Sequence, residues 1–327
     1  MIKSRIKISG EKKAPPNRKL LVWIFVLTGV SSLFLWWRGK VIRGGTSENN
    51  DPDMNFVIRR EISPTPKANN EKKIKEITGE LTEVIATASG RYAVYAYHME
   101  EKWGYGFNET EQKPAASLMK LPVMATAIDK LEKEEIKLDS KYTLEDADRS
   151  TGSGPLQFKN AGTVYTLDEL LGFLGKNSDN TAWVLFNRRW GKGTIQQTID
   201  NLGMKGSNYE TLMTTAADTA KIWDYLYNGK YSTAIKQAME RYLSDSIYED
   251  RIPVGLAGTE GEVLMHKVGT DTDVWADAGV IKCKIENERC KIKPFVLVIL
   301  NEGVKRTEAT IIVPKLVKLI WDFENTL

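Results

Sequence analysis

Two side chains with complementary chemistry stand three positions apart in the segment KPAASLMKLPVM, residues 113–124. Ser117 carries a hydroxyl, which is a weak nucleophile until a base takes its proton, and Lys120 carries an amine that could do so. Positions i and i+3 of a helix share one face, so this spacing brings the two groups within hydrogen-bond reach. The same spacing recurs at Ser4–Lys7 and Ser9–Lys12, in a tail without other catalytic features. The pair is therefore a candidate nucleophile and base that needs supporting residues.

Two later segments offer that support. Ser178 of the segment SDN (178–180) precedes a predicted helix, where its hydroxyl could relay a proton to a leaving nitrogen and Asn180 could bond a substrate amide. Asp179 fits an N-cap, a structural use typical of this residue type. In the segment KVGT (267–270), Lys267 begins a strand edge and Gly269 permits close approach of a substrate backbone.

The order SLMK, SDN, KVGT resembles the penicillin-recognising serine hydrolases, specifically the class A β-lactamase branch, whose motifs are S-x-x-K, S-D-N and K-T-G. The resemblance runs from about residue 75 to 323 and includes GSGPLQ, SDNTA and TTAADTAK. It implies a β-lactamase/transpeptidase-like fold. It also implies that Ser117 is the nucleophile, and that the Thr270 N–H completes an oxyanion hole with the Ser117 N–H.

The chain departs from that family at two points. Class A β-lactamases carry a Glu-x-x-x-Asn element that holds the deacylating water, and the chain has no such element between SDN and KVGT. Glu210 lies in the shortened connection, but Thr214 stands four residues later instead of Asn. Val268 replaces the Thr or Ser of the family and removes a hydroxyl that would help to hold a β-lactam carboxylate. We therefore expect acylation without efficient deacylation.

The histidines and cysteines do not suggest a metal site. The chain has two of each: His98 and His266, Cys283 and Cys290. The histidines lie far apart in sequence and far from the cysteines, so both are interpreted as structural, and no metal or organic cofactor is expected. The two cysteines lie opposite each other in a predicted hairpin that turns near Glu286–Asn287. A cross-strand disulfide is feasible in an oxidising compartment, and two free thiols are the alternative.

Hydrophobic periodicity indicates how these residues are positioned. Residues 71–87 have helical spacing, and RYAVYAYHM and KWGYGFN alternate as two strands. A helical block follows, including a helix that begins with a Thr166–Glu169 capping box. Three strand-like segments (VLMHKVGT, WADAGVIKCKI and KPFVLVILNEG) and a final helix close the chain. This order predicts an α/β (α+β) domain over residues 71–327, in which helices flank an antiparallel sheet formed by both chain ends and an all-helical lobe is inserted.

The N-terminal part predicts a membrane anchor. Residues 20–37 contain no charge and would rise about 27 Å as a helix, close to the thickness of a bilayer core. Residues 1–19 carry seven Lys/Arg and one Glu, so the positive-inside rule leaves this tail in the cytoplasm and exports the remainder. An uncleaved signal anchor fits better than a cleaved signal peptide, because no A-x-A-like site follows. Residues 38–70 are polar and contain three prolines, as expected of a stalk.

Composition limits the function classes. Beyond residue 19 the chain has 39 basic and 42 acidic residues, so nothing suggests a nucleic-acid surface on the folded part. We expect a single-pass membrane protein with an extracytoplasmic serine hydrolase domain whose substrate is a β-lactam or a peptidoglycan peptide. A D,D-peptidase-like cell-wall enzyme and a non-catalytic penicillin- or peptidoglycan-binding sensor domain are the alternatives. Retention of both Ser117 and Lys120 argues against the sensor.

Overall fold

The computed structural model describes residues 70–285 and 290–327. The predicted tail, membrane span and nearly all of the predicted stalk lie outside these residues, as does the turn near Glu286–Asn287. Within the described part, no helix is both long and apolar enough to cross a membrane.

The helices and strands alternate in blocks along the chain. The helices are α1 (Glu71–Ala86), α2 (Lys120–Glu132), α3 (Leu167–Lys176), α4 (Asn180–Trp190), α5 (Lys192–Asn201), α6 (Ala216–Asn228), α7 (Thr233–Leu243), α8 (Ile252–Gly255) and α9 (Arg306–Glu324). The strands are β1 (Arg91–His98), β2 (Trp103–Phe107), β3 (Lys113–Pro114), β4 (Lys141–Thr143), β5 (Val164–Thr166), β6 (Met213–Thr214), β7 (Gly261–Asp271), β8 (Val274–Cys283) and β9 (Phe295–Glu302).

Both chain ends form one five-stranded antiparallel sheet in the order β2-β1-β9-β8-β7. β1 pairs with β9 along its full length, from Arg91 opposite Glu302 to His98 opposite Phe295. The predicted sheet, with the helical block inserted between β2 and β7, is confirmed. The short pairs β3–β6 and β4–β5 were not predicted, because two- and three-residue strands leave no periodicity to detect.

The sheet is buried on both faces. In β9, Val296, Val298 and Leu300 belong to the core shared with the helical block, whereas Leu297 and Ile299 belong to the core beneath α1 and α9. A strand covered on both faces is apolar at nearly every position, which explains the run FVLVIL. Strand β7 lies at an edge of this sheet, where Gly269 packs against Ala115 and Leu118 of the segment that carries Ser117, and Lys267, two residues earlier, shares its face of the strand.

Local capping fixes the helices around this edge. Thr166 and Glu169 form the predicted reciprocal capping box at the start of α3. Asp179 caps α4 by accepting a hydrogen bond from the Ala182 N–H at 2.9 Å, which confirms its expected structural use. The Asp179 cap sets where the segment between α3 and α4, which contains Ser178, ends.

Cys283 and Cys290 form a disulfide between the end of β8 and the segment leading to β9. Of the two alternatives left open by the sequence, the structure has the cross-link, and both cysteines are buried.

Candidate active site

The nucleophile candidate lies on a single 3₁₀ turn, Ala116–Met119, that leads directly into α2. Ala116 has a φ of +46°, a left-handed conformation that is uncommon for a residue with a Cβ. Such strain persists where the surrounding structure imposes it, often at functional sites. Lys120 Nζ lies 2.9 Å from Ser117 Oγ, so the predicted contact across one turn is present.

Lys120 has three further polar contacts. Its Nζ lies 2.6 Å from the Ser178 carbonyl oxygen, 2.7 Å from Asn180 Oδ1 and 3.1 Å from Ser178 Oγ. The carbonyl and amide oxygens can only accept, so they take both hydrogens of a neutral amine. In that neutral form, the single lone pair of the nitrogen is left to accept from one of the two hydroxyl groups, Ser117 or Ser178. The contact set therefore suits a base that can remove a proton from Ser117.

The burial of Lys120 favours this neutral form. Its side chain is fully buried, and burial lowers its pKa from the ordinary value of 10.5 to about 7, against the opposing effect of the Asp179 carboxylate. A charged amine loses its hydration inside a protein, so the uncharged form gains in relative stability. The indole ring of Trp183 lies 5.0 Å from Nζ and forms part of this enclosure.

The Ser178–Asn180 segment is held by its own strained and capped geometry. Ser178 has a φ of +51° and is buried. Besides capping α4, the Asp179 carboxylate accepts the Leu156 N–H at 2.9 Å. Gly154 has a φ of +93°, and a Cβ there would lie 2.0 Å from Asp179 Oδ2, so only glycine fits. The glycines of GSGPLQ (residues 152–157) thus allow this loop to pack closely against the Ser178–Asn180 segment.

Asn180 is oriented by the same loop. Its Nδ2 donates to the Thr151 carbonyl at 2.9 Å, which leaves Oδ1 for Lys120. Because Nδ2 has a second hydrogen, Asn180 retains one donor for a substrate amide. That role remains a prediction.

Strand β7 brings the third motif to the site. Lys267 is buried, and its pKa is lowered well below its ordinary value by burial first and by the nearby Lys120 charge second. The buried amine of Lys267 gains a strong electrostatic partner when an anion binds beside it in the site. A Cβ on Gly269 would lie 2.6 Å from the Ala115 carbonyl oxygen, so the glycine permits close packing of β7 on the nucleophile's own segment.

Arg251 is a site residue that sequence analysis missed. It is 1% exposed, and its guanidinium donates to the Thr270 hydroxyl and the Ala276 carbonyl, both at 2.6 Å. It also lies 3.7 Å from the centre of the Trp275 ring. A fully buried arginine in a loop needs several hydrogen-bond acceptors at once, and the Thr270 hydroxyl is one of them. Arg251 therefore fixes the position of Thr270, the last residue of the KVGT segment. No local signal could have found it, since DRIP resembles an ordinary polar loop.

His266 is structural, as predicted, and lies beneath the same corner. Its Nδ1 lies 3.0 Å from Asp277 Oδ1, and its Nε2 lies 3.2 Å from Glu249 Oε1. Burial lowers its pKa, but the two carboxylates outweigh burial and raise the pKa to about 9. His98 stacks on Trp103 with ring centres 4.2 Å apart, on strands β1 and β2 and away from the three motifs.

The shortened connection, residues 202–212, directs its carboxylate outward. Glu210 is largely exposed and bonds Lys192 on α5 at 3.0 Å. The preceding residue, Tyr209, is buried. Its hydroxyl accepts a hydrogen bond from the Trp183 indole N–H and donates to Asn187 Oδ1 at 2.7 Å. Trp183 and Tyr209 thus form an aromatic pair, and the Trp183 ring lies beside Lys120.

The structure therefore joins Ser117, Lys120, Ser178 and Asn180 by direct polar contacts, with Lys267 close enough to Lys120 for their charges to interact. Gly269 and Thr270 continue along the same strand edge. The described residues contain no group of three or more His, Cys, Asp or Glu side chains arranged to hold a metal ion.

Comparison with known structures agrees with this arrangement. A point mutant of PBP-A, solved as an acyl-enzyme complex with penicillin G, is 18% identical, with a TM-score of 0.69 over 81% of this chain and 99% of that one. A β-lactamase from Chitinophaga pinensis is 22% identical, with a TM-score of 0.67 over 76% and 98%. An ancestral class A β-lactamase is 19% identical, with a TM-score of 0.67 over 75% and 99%. At these identities the likeness establishes the fold.

No curated protein matches the chain. A family model does: the one described as the β-lactamase enzyme family matches residues 76–323, most of the chain. With the fold of class A β-lactamases and the three motifs at one border of the sheet, the chain belongs to the β-lactamase enzyme family.

Proposed function

We propose that the protein is a serine acyl-transfer enzyme that is acylated at Ser117 by a β-lactam or a cell-wall peptide amide. The observation that carries this proposal is the contact set of Lys120. The acceptor oxygens of Ser178 and Asn180 can take both hydrogens of the neutral amine, and Ser117 Oγ lies 2.9 Å from the amine nitrogen, whose lone pair is then left to accept the Ser117 proton.

The reaction follows from these contacts. Ser117 Oγ attacks the amide carbonyl carbon, and its proton passes to Lys120 Nζ as the new C–O bond forms. The backbone N–H groups of Ser117 and Thr270 stabilise the oxyanion. When the C–N bond breaks, the proton returns from Lys120 through the Ser178 hydroxyl, 3.1 Å away, to the leaving nitrogen. The product is an ester on Ser117 and an amine, which leaves when the substrate is a peptide amide and stays attached to the acyl group through the opened ring when it is a β-lactam, with no net change in protons.

Substrate orientation is assigned to the remaining residues. Asn180 bonds the substrate amide, and the buried Lys267 amine takes up a substrate carboxylate. Val268 offers no hydroxyl beside it. Arg251 contributes by holding Thr270 rather than by direct contact, because its Nη1 and Nη2 atoms donate to the Ala276 carbonyl and the Thr270 hydroxyl.

Hydrolysis of the ester is proposed to be slow. That step requires a positioned water molecule and a base. Glu210 is bonded to Lys192 at the surface, and the space beside Lys120 is occupied by Trp183. PBP-A, one of the similar structures, carries an acyl group from penicillin G in a mutant form. A persistent adduct of the same class would make this protein a penicillin-binding, D,D-peptidase-like enzyme rather than an efficient β-lactamase.

The cellular setting is proposed from sequence alone. The 18 uncharged residues 20–37 and the basic tail before them suit a single-pass anchor with the enzyme domain outside the cytoplasmic membrane, beside the peptidoglycan. Full-length protein should sediment with membranes, and protease added from outside should release a fragment that begins within residues 44–70. A secreted soluble form that begins near residue 38 would contradict the anchor.

A fluorescent penicillin tests the enzymatic proposal. The wild-type domain should retain the label on a denaturing gel, and Ser117→Ala should not. Thr126→Ala, which removes a hydroxyl of α2 outside the site, should label like wild type. Circular dichroism should show that both variants are folded. Equal labelling of wild type and Ser117→Ala would move the nucleophile elsewhere, and an unlabelled wild type would favour the sensor alternative.

A further inference from the structure

The segment 246–251, here called the strap, connects α7 to α8 and contacts both walls of the site. On the side of the helical block, the Ile247 N–H donates to the Lys176 carbonyl at 3.2 Å, at the end of α3. The Tyr248 hydroxyl donates to Ser153 Oγ at 3.3 Å, although the two residues are 95 positions apart. The strap therefore contacts the loop that contains Ser153, and this loop packs against the Ser178–Asn180 segment.

On the other side, the strap is fastened to the sheet. Glu249 Oε1 lies 3.2 Å from His266 Nε2, and Arg251 donates to the Thr270 hydroxyl at 2.6 Å. The Ile252 N–H, directly after the strap, donates to Asp277 Oδ2 at 3.1 Å. The sheet end of the strap is thus fixed mainly by buried charged groups, while the other end is held by the Ile247 backbone contact, the bond from Tyr248 to Ser153 and, directly before the strap, an exposed ion pair between Asp245 and Lys176 at 3.1 Å.

The position of Ser153 identifies which end of the cleft the strap closes. The Ser153 carbonyl accepts the Asn180 N–H at 3.0 Å, and the neighbouring Thr151 carbonyl accepts Asn180 Nδ2. Ser153 therefore lies next to the Ser178–Asn180 segment. In the proposed reaction, Ser178 passes a proton to the leaving nitrogen, so the group attached to that nitrogen would lie on the Ser153 side of the site.

We propose that the Tyr248–Ser153 hydrogen bond closes the leaving-group end of the cleft and makes Tyr248 a specificity-determining residue that favours compact leaving groups. This inference rests on the proposed acylation at Ser117. Both hydroxyls belong to loops, and the bond is only partly buried, so it can open at modest cost. A bulky leaving group must break it to enter, whereas a compact one need not. The result is a preference between substrates rather than a block.

The test compares acylation of the same protein by two β-lactams. Benzylpenicillin carries a small fused ring on the leaving-nitrogen side, and a dinitrostyryl cephalosporin carries a large planar substituent there. Tyr248→Phe and Ser153→Ala should each raise the cephalosporin-to-penicillin ratio of second-order acylation rates by about 2- to 10-fold, the range for one net hydrogen bond. The double variant should give no further gain, because both changes remove the same bond. Tyr165→Phe, which removes a hydroxyl of β5, should leave the ratio unchanged.

A second measurement is independent of activity. In hydrogen–deuterium exchange of the free protein, Tyr248→Phe should raise exchange in residues 150–156 as well as in the strap. No change in 150–156 would overturn the closure. A loosened loop with an unchanged acylation ratio, or additive effects of the two variants, would overturn the specificity role. If wild type takes up neither compound, the proposed function fails and the specificity role with it, and the exchange data still decide the closure.

Discussion

The Trp183 indole N–H donates to the Tyr209 hydroxyl at 2.5 Å, while the same indole ring lies 5.0 Å from the Lys120 amine. Tyr209, a buried residue of the shortened connection (residues 202–212), therefore holds the Trp183 ring beside Lys120, the proposed general base. Class A β-lactamases resembling this chain use a carboxylate and an amide at their longer loop to hold water. In this chain, residues 202–212 place Tyr209 against Trp183, and Glu210 of the same connection bonds Lys192 at the surface.

The first prediction concerns the lifetime of the acyl-enzyme. With Glu210 at the surface and Trp183 beside Lys120, we expect deacylation to lack a carboxylate base, and general-base assistance typically contributes about 10² to 10⁴ in rate. A penicilloyl adduct should persist for minutes or longer in a time course of intact mass after one addition of penicillin. Glu210→Gln should leave that lifetime unchanged. Decay within seconds with steady turnover would show a working β-lactamase, and a longer lifetime in Glu210→Gln would show that this carboxylate reaches the ester.

The second prediction concerns the pH dependence of acylation. A general base acts in its deprotonated form, and the pKa of Lys120 is lowered to about 7. The acylation rate should therefore rise as pH increases through about 7 and level off above it, in stopped-flow measurements with a fluorescent penicillin. Lys120→Ala should slow acylation by about 10² to 10⁴-fold and remove this step from the profile. A rate that is flat between about pH 6 and pH 8 in wild type would argue against Lys120 as the base.

The third prediction concerns stability against pH through His266. Its pKa in the folded protein is raised from 6.5 to about 9, so the folded state binds the proton more tightly than the unfolded state. The resulting stabilisation is complete below pH 6.5 and is lost as pH rises to about 9, in total about 3 kcal/mol at ~1.4 kcal/mol per pKa unit.

Urea unfolding at about pH 6 and about pH 9.5 measures this loss. His266→Asn, which can still donate to Asp277, should be less stable than wild type at the lower pH and should lose about 3 kcal/mol less between the two pH values. The same pH difference in both proteins would mean that His266 is not the titrating group. The measurement uses stability alone, so it does not depend on the enzymatic proposal.

The fourth prediction concerns the Cys283–Cys290 disulfide, which closes a short loop at the end of β8. Loop-closure entropy for this length corresponds to about 2 to 3 kcal/mol of stability. The double variant Cys283→Ser/Cys290→Ser should lower the free energy of unfolding by about that amount and leave penicillin labelling intact, because the loop lies at the opposite end of β8 from the residues paired with Gly269 and Thr270. If wild type treated with a reductant equals untreated wild type in urea unfolding, the cross-link does not contribute.

The sequence by itself determined the local features. The contact between Ser117 and Lys120 follows from three-residue spacing on a helical turn, and the caps formed by Thr166 and Asp179 follow from residue type and position. The segment KPFVLVILNEG is likewise strand-like in the sequence and forms β9. These features depend on neighbours within a few residues, so one chain suffices to infer them.

Tertiary structure alone decided the environment of those groups. The contacts of Lys120 with Ser178 and Asn180 join residues 58 and 60 positions apart. The burial that lowers the lysine's pKa requires the whole helical block to close over it. Arg251 and Tyr209 lie in segments without periodicity, so their roles appear only when the loops are folded against the sheet and α4. Distances between remote segments are set by the packing of entire elements, and packing, unlike helical spacing, leaves no local pattern in the chain.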